Sequence, residues 1–169
     1  MKIVLTETQL NSLVEKFKIG DDERIKLFET DDFLLVVPLT RTASCKYGAG
    51  TKWCTTERED DQFERHFDMG SLAYLIVKNP EMQEKLANTK FAFFANRPKF
   101  VDGNKEIGRI VVYDDVNNVM PYQSFLNFVD NKEVYLDVKA ALNKFIEYAG
   151  EKFSPKNYDQ IRRGLKNPF

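Results

Sequence analysis

Between Ala43 and Thr56 the chain concentrates the residue types from which a site could be built. Both cysteines, the only tryptophan and two of the eight glycines fall in Ala43-Ser44-Cys45-Lys46-Tyr47-Gly48-Ala49-Gly50-Thr51-Lys52-Trp53-Cys54-Thr55-Thr56. Glycines two apart let a backbone approach a ligand or another segment closely. Thr51, Lys52 and Trp53 then add a hydroxyl, a point charge and a large flat ring. The set suits recognition of something anionic and flat, and Tyr47, Gly48, Gly50, Thr51, Lys52, Trp53 and Thr55 are the candidate ligand-binding residues.

The same stretch matches no established catalytic signature. A P-loop needs four residues between its glycines, then Lys and Ser or Thr, with a helix following. Here the glycines are too close and Thr51 precedes Lys52, so a P-loop is excluded. A looser nest of backbone amides helped by Lys52 remains open, beside the plainer reading of a helix stop and a tight turn. Trp53 likewise reads as a core anchor or as a half-exposed stacking platform. A metal site fails on counting, since two cysteines and one histidine cannot supply four structural zinc ligands. Neither a metal nor a cofactor is expected, and no catalytic residue is assigned.

Other groups have a chemical and a plain reading side by side. Cys54 and His66 could pair as nucleophile and base, or be a small buried hydrophobe and an exposed helix residue. Asp114, at the end of an apolar run, could be a catalytic carboxylate or a turn former. With no metal set around them and acids following, Cys45 and Cys54 are expected to be reduced and not nucleophilic.

Elements must position these groups. Thr40 can cap a short helix from Arg41 to Tyr47 that Gly48 stops. Ahead of it, Arg24–Glu29 and Phe33–Leu39 read as a β-hairpin whose second strand is buried on both faces, with Pro38 marking an edge or an end. Thr51–Thr56 reads as extended, with Trp53 on one face and Lys52 and Cys54 on the other. Glu57–Asp68 reads as a helix closed by Gly70, Leu72–Val77 as a strand, and Pro80 opens another helix. Lys90–Ala95 and Gly108–Tyr113 are further strands, with a turn at Asp102-Gly103. From Gln123 the pattern becomes helical, most clearly over Lys132–Tyr148, where Val134, Val138, Ala141, Leu142, Phe145 and Ile146 form one stripe. Lys2–Leu5 reads as a strand, Thr6–Gln9 as a capping box before a helix, and Ser154-Pro155 as the start of a last helix. The expectation is a single α+β domain over residues 1–169, with a largely antiparallel central sheet, helices at both ends and a basic helical tail over 150–169.

Composition narrows the function classes. Fourteen Phe and seven Tyr in 169 residues supply a core without disulfide staples. A net charge of -1 provides no global field for DNA, membrane or acidic substrate. Locally, Glu57–Asp68 carries six acids against two arginines, and the tail from Glu151 carries five bases against two acids. Both read first as solvated faces, and the tail, with Phe153 and Tyr158, leaves only a weak footprint for nucleic acid. The longest apolar run, Phe33–Leu39, is too short to span a bilayer, and the start shows no leader pattern. Reduced thiols then predict a cytoplasmic protein without a membrane partner.

The run Ala43-Ser44, Tyr47-Gly48 and Thr51-Lys52-Trp53-Cys54-Thr55 resembles a segment of small, largely uncharacterised proteins of tailed bacteriophages. Phe63, Gly70-Ser71-Leu72 and Lys90-Phe91-Ala92 continue the likeness, which spans residues 35 to 115, about half the chain. The resemblance implies a phage-type origin, hence a host cytoplasm, and a compact α+β domain; it carries over no activity. The expected function is an accessory protein that binds a nucleotide-like ligand or a host macromolecule in host takeover or counter-defence. An enzyme acting on nucleotides or nucleic acid is the alternative, with Lys52, Cys54, His66 or Asp114 taking part. A virion or assembly component, with the motif purely architectural, is another.

Overall fold

The computed structural model describes residues 23–53, 55, 62–101, 104–106 and 108–152. The expected strand at Lys2–Leu5, the helix after Thr6, the last helix from Ser154, and Cys54 lie outside them. Six strands form one antiparallel sheet in the order β1 (Arg24–Glu29), β2 (Phe33–Pro38), β3 (Gly70–Val77), β4 (Lys90–Asn96), β7 (Ile110–Tyr113) and β8 (Val119–Pro121). A separate hairpin, β5 (Lys99–Val101) with β6 (Asn104–Glu106), is inserted between β4 and β7. Five helices complete the described chain: α1 (Arg41–Tyr47), α2 (Gln62–Met69), α3 (Pro80–Leu86), α4 (Tyr122–Asp130) and α5 (Tyr135–Lys152). This is the α+β architecture with a largely antiparallel sheet that the sequence predicts.

Every sheet neighbour is also the next sheet strand along the chain, so the sheet is a meander. Both faces are covered. Phe33, Leu35 and Val37 of β2, Leu75 of β3 and Phe91 and Phe93 of β4 meet Phe125 and Val129 of α4 and Val138, Leu142 and Phe145 of α5. The alternate residues Val36, Leu72, Tyr74, Ala92 and Phe94 meet Ala43 and Tyr47 of α1, Trp53, and Phe63 of α2. Period-two side-chain alternation thus builds two separate cores from one set of strands. It also explains why β2 and β3 read as continuous apolar runs, since a strand covered on both faces has no solvent side to mark with polar residues.

Local signals account for most element ends. Thr40 Oγ1 accepts from Ala43 N at 3.1 Å to cap α1, and Gly48 N closes the helix on Ser44 O at 2.9 Å. Asn79 caps α3, with Pro80 in the first turn. Pro38 ends β2 rather than marking an edge, and α2 passes directly into β3 at Gly70. A Cβ placed on Gly70 would stand 2.2 Å from the Ala95 carbonyl oxygen, so only glycine permits that approach of β3 to β4. Among the described residues no helix is long and apolar enough to cross a membrane.

Candidate functional site

The segment after α1 is held by turn and tertiary hydrogen bonds of backbone and side chains rather than by a sheet ladder. Thr51–Trp53 is a loop, which corrects the expected extension from Thr51. Thr51 folds back on Gly48 O through both its amide (3.1 Å) and its hydroxyl (2.7 Å), with Gly50 between them at φ 83. The amide of Lys52 donates to Asp115 O at 2.9 Å, and Lys90 Nζ donates to Ala49 O at 2.6 Å. Desolvation at that position pushes the Lys90 ammonium below the ordinary lysine range. The amides of Gly48, Thr51 and Lys52 are therefore already engaged, in the end of α1, the turn and the bond to Asp115. These tertiary bonds override the strand preference of the Thr and Trp side chains.

Trp53 is the anchor of the loop. Its ring is 3% exposed and tilts over Tyr74 with centroids 4.7 Å apart, while Nε1–H donates to Asp114 O at 2.6 Å. Asp114 is itself held rigidly: Oδ1 accepts from Val116 N (3.1 Å) and Asn118 N (2.7 Å), and Oδ2 accepts from Asn118 Nδ2 (2.9 Å). A carboxylate so engaged is a turn former, and its geometry is that of the Asx-type turn between β7 and β8.

Beneath the loop three hydroxyls form a chain of hydrogen bonds that starts at the Thr55 hydroxyl and ends on the Thr55 carbonyl. Ser44 Oγ lies 2.6 Å from Thr55 O and 2.7 Å from Tyr74 OH, which in turn lies 2.7 Å from Thr55 Oγ1. Hydrogen counting fixes the directions. A carbonyl only accepts, so Ser44 must donate to Thr55 O; Tyr74 must then donate to Ser44, and Thr55 Oγ1 to Tyr74. All three residues are buried, as such a network requires.

A cleft of about 180 Å³ opens beside this loop, lined by Trp53, Thr55, His66, Leu72, Ala92, Phe94, Tyr113 and Asn117. Its origin lies in the register. Val36, Tyr74, Ala92 and Tyr113 stand side by side across β2, β3, β4 and β7. Directly opposed side chains share one face, so the methyl of Ala92 between two tyrosines leaves a dip in the sheet. His66 of α2 forms one wall, its ring edge-on to Phe94 with centroids 5.3 Å apart. His66 Nδ1 lies 2.7 Å from Gln62 O one helical turn earlier, so Nδ1 carries the hydrogen.

Of the residues expected to bind a ligand, the structure brings Trp53 and Thr55 to this cleft. It does not place Tyr47, Gly48, Gly50, Thr51 or Lys52 in the lining. Tyr47 is buried against the sheet, with Arg24 and Lys46 each 5.3 Å from its ring centre. Lys52 is exposed on the loop next to Trp53. Cys45 is half-buried and borders a different, open groove on the outer side of α1, with Arg41, Thr42, Lys46 and Ala49. Among the described residues no three His, Cys, Asp or Glu side chains gather as a cation would need. His66, expected as an exposed helix residue, is half-buried instead, while Ala92, Tyr113 and Asn117 joined the site unannounced. The alternation of β4 and β7 assigns their faces, but the pairing that makes them neighbours is not written locally.

Behind the cleft wall sits a buried cation. Lys152, in the last turn of α5, is 1% exposed, which corrects its reading as part of a solvated basic tail. Its ammonium donates to Phe67 O (2.5 Å) and Gly70 O (2.7 Å) at the C-terminal end of α2, and lies 3.7 Å from the Phe67 ring centre. Carbonyls at a helix C-terminus lack intrahelical donors and carry the negative end of the dipole, so a cation suits that place. Burial nevertheless pushes the amine down to about 7, against the opposing pull of Asp68.

Compared with protein-family models, with curated proteins and with solved structures, the chain matches none.

Proposed function

We propose that the protein binds rather than transforms its target, taking the flat ring of a nucleotide-like ligand into the cleft beneath Trp53. The observation that supports this is the lining itself: Trp53, His66, Phe94 and Tyr113 surround a floor hollowed by the small side chain of Ala92. Apolar and aromatic walls with a few placed polar groups are the usual make-up of a small-molecule site. Catalysis has less support, because the Asp114 carboxylate is engaged by its own turn and no nucleophile–base pair stands among the described lining residues. Lys52, exposed beside Trp53, is the cation suited to a charged tail outside the cleft. The resemblance of the Tyr47–Thr55 segment supports a phage-type accessory protein acting in the host cytoplasm, in takeover or counter-defence.

Trp53 is the only tryptophan and therefore the reporter. Nucleosides and nucleotides are titrated into the protein while its fluorescence and the heat of mixing are followed. The expected result is saturable binding by a panel member that Ala92→Met abolishes by filling the floor, and that Lys52→Ala weakens only when the ligand carries phosphate. If no panel member binds, or Ala92→Met binds as wild type does, the cleft is not the site.

A further inference from the structure

Three hydrogens near the cleft have fixed positions, and none is available to a ligand. The indole N–H of Trp53 goes to Asp114 O, the Nδ1–H of His66 to Gln62 O, and the Thr55 hydroxyl hydrogen to Tyr74. What remains on these lining residues are lone pairs. The neutral form of His66 keeps one at Nε2, the ring nitrogen not engaged with Gln62 O, and Thr55 Oγ1 retains acceptor capacity after donating. The other two polar lining groups, the Tyr113 hydroxyl and the Asn117 amide, can each donate or accept, so they impose no preference.

We infer that the cleft selects a flat heterocycle bearing an exocyclic amino group, as in adenine or cytosine, over the keto ring of the same shape, with His66 Nε2 and Thr55 Oγ1 as acceptors. The inference rests on the ring-binding reading above and names which rings it takes. An amino group meets the fixed acceptors with N–H donors. A carbonyl in its place sets lone pair against lone pair and leaves polar atoms unpaired in a largely apolar cleft. Aromatic stacking does not discriminate between the two, so the preference comes from the hydrogen-bonding edge.

The test compares adenosine with inosine and cytidine with uridine, titrated into wild type and His66→Phe, with Trp53 fluorescence and calorimetry as readouts. In wild type the amino member of each pair is expected to bind at least about tenfold more tightly, the factor that one net hydrogen bond supplies. In His66→Phe, which keeps a ring against Phe94, the preference should shrink towards parity. Equal wild-type affinities within each pair, or a keto preference, overturn the selection while leaving the cleft as a ring site. Binding by none of the four overturns the selection, and if no nucleotide of the wider panel binds either, the reading it rests on falls as well. Should His66→Phe fail to fold, the wild-type ratios alone decide.

Discussion

The indole N–H of Trp53 donates to the main-chain carbonyl of Asp114 at 2.6 Å, joining the loop after α1 to the β7–β8 turn 61 positions along the chain. The same carbonyl also accepts from Asn117 N at 3.1 Å. One oxygen thus fixes both the lip of the cleft and the turn beside it. Trp53→Ala should cost about 3–5 kcal/mol, the range for truncating a large buried aromatic. Trp53→Phe keeps much of the volume and leaves the carbonyl its second donor, so about 1–2 kcal/mol is expected. Urea melts of the variants measure both, and an unchanged midpoint for Trp53→Ala would show that the ring is no core element.

The hydrogen-bonded chain of the Ser44, Tyr74 and Thr55 hydroxyls should behave as a unit. Tyr74→Phe removes the middle member, leaving Thr55 with a buried hydrogen and Ser44 with an unused acceptor, at a cost of about 1–3 kcal/mol. Ser44→Ala and Tyr74→Phe should then be non-additive by at least about 0.5 kcal/mol, because each breaks the same chain of bonds. A double-mutant cycle from chemical denaturation gives the coupling; strict additivity would mean that the three hydroxyls act independently.

Lys152 makes stability depend on pH. Its amine falls from the ordinary value of 10.5 to about 7 in the folded protein. Between those values the unfolded chain holds the proton and the folded one sheds it, so raising the pH across that window favours folding. Below about 7 both states are protonated and the contribution is flat. Wild type should therefore gain on Lys152→Met between pH 7 and 10, by the order of a few kcal/mol. Melts of the pair along a pH series read this directly; parallel curves would place the amine in its ordinary range.

Two glycines should respond oppositely to alanine. At Gly70 the added methyl meets the Ala95 carbonyl oxygen at 2.2 Å and the Phe94 ring at 2.7 Å, so β3 and β4 must part. A loss of about 1–3 kcal/mol is expected, as for other overpacked sites. At Gly150, within α5, a methyl meets nothing within 4 Å among the described residues, and Gly150→Ala should stabilise by about 0.5–1 kcal/mol through the gain in helix preference. Thermal melts of the two variants should move in opposite directions.

What the sequence disclosed follows the range of the forces involved. The Thr40 cap, the Gly48 stop and the Pro80 first turn act within a few residues, and α1 and α3 begin where those signals stand. The buried β2 and β3 declared themselves through unbroken apolar runs. The three-residue strands β5, β6 and β8 are too short to set up a pattern. Thr51–Trp53 misled because the Trp53 ring answers to Asp114 and Tyr74 and the Lys52 amide to Asp115, all far away in the chain. The cleft was half legible. Trp53 and Thr55 announced it by type, but Ala92 matters only through its register with Tyr74 and Tyr113, and Lys152 only through the carbonyls it meets.

Since β2 and β3 are sheet neighbours, the segment from Leu39 to Met69 leaves the sheet and returns to the adjacent position. Among the described lining residues Trp53, Thr55 and His66 travel on that one excursion, Leu72, Ala92, Phe94 and Tyr113 belong to the strands, and Asn117 belongs to the β7–β8 turn. Part of the cleft's lining is thus carried by one stretch of chain and part by the sheet. An exchange of that stretch would replace several lining residues at once and leave the strand order intact, but Tyr74 and Asp114 would still have to meet whatever stands in place of Ser44, Trp53 and Thr55.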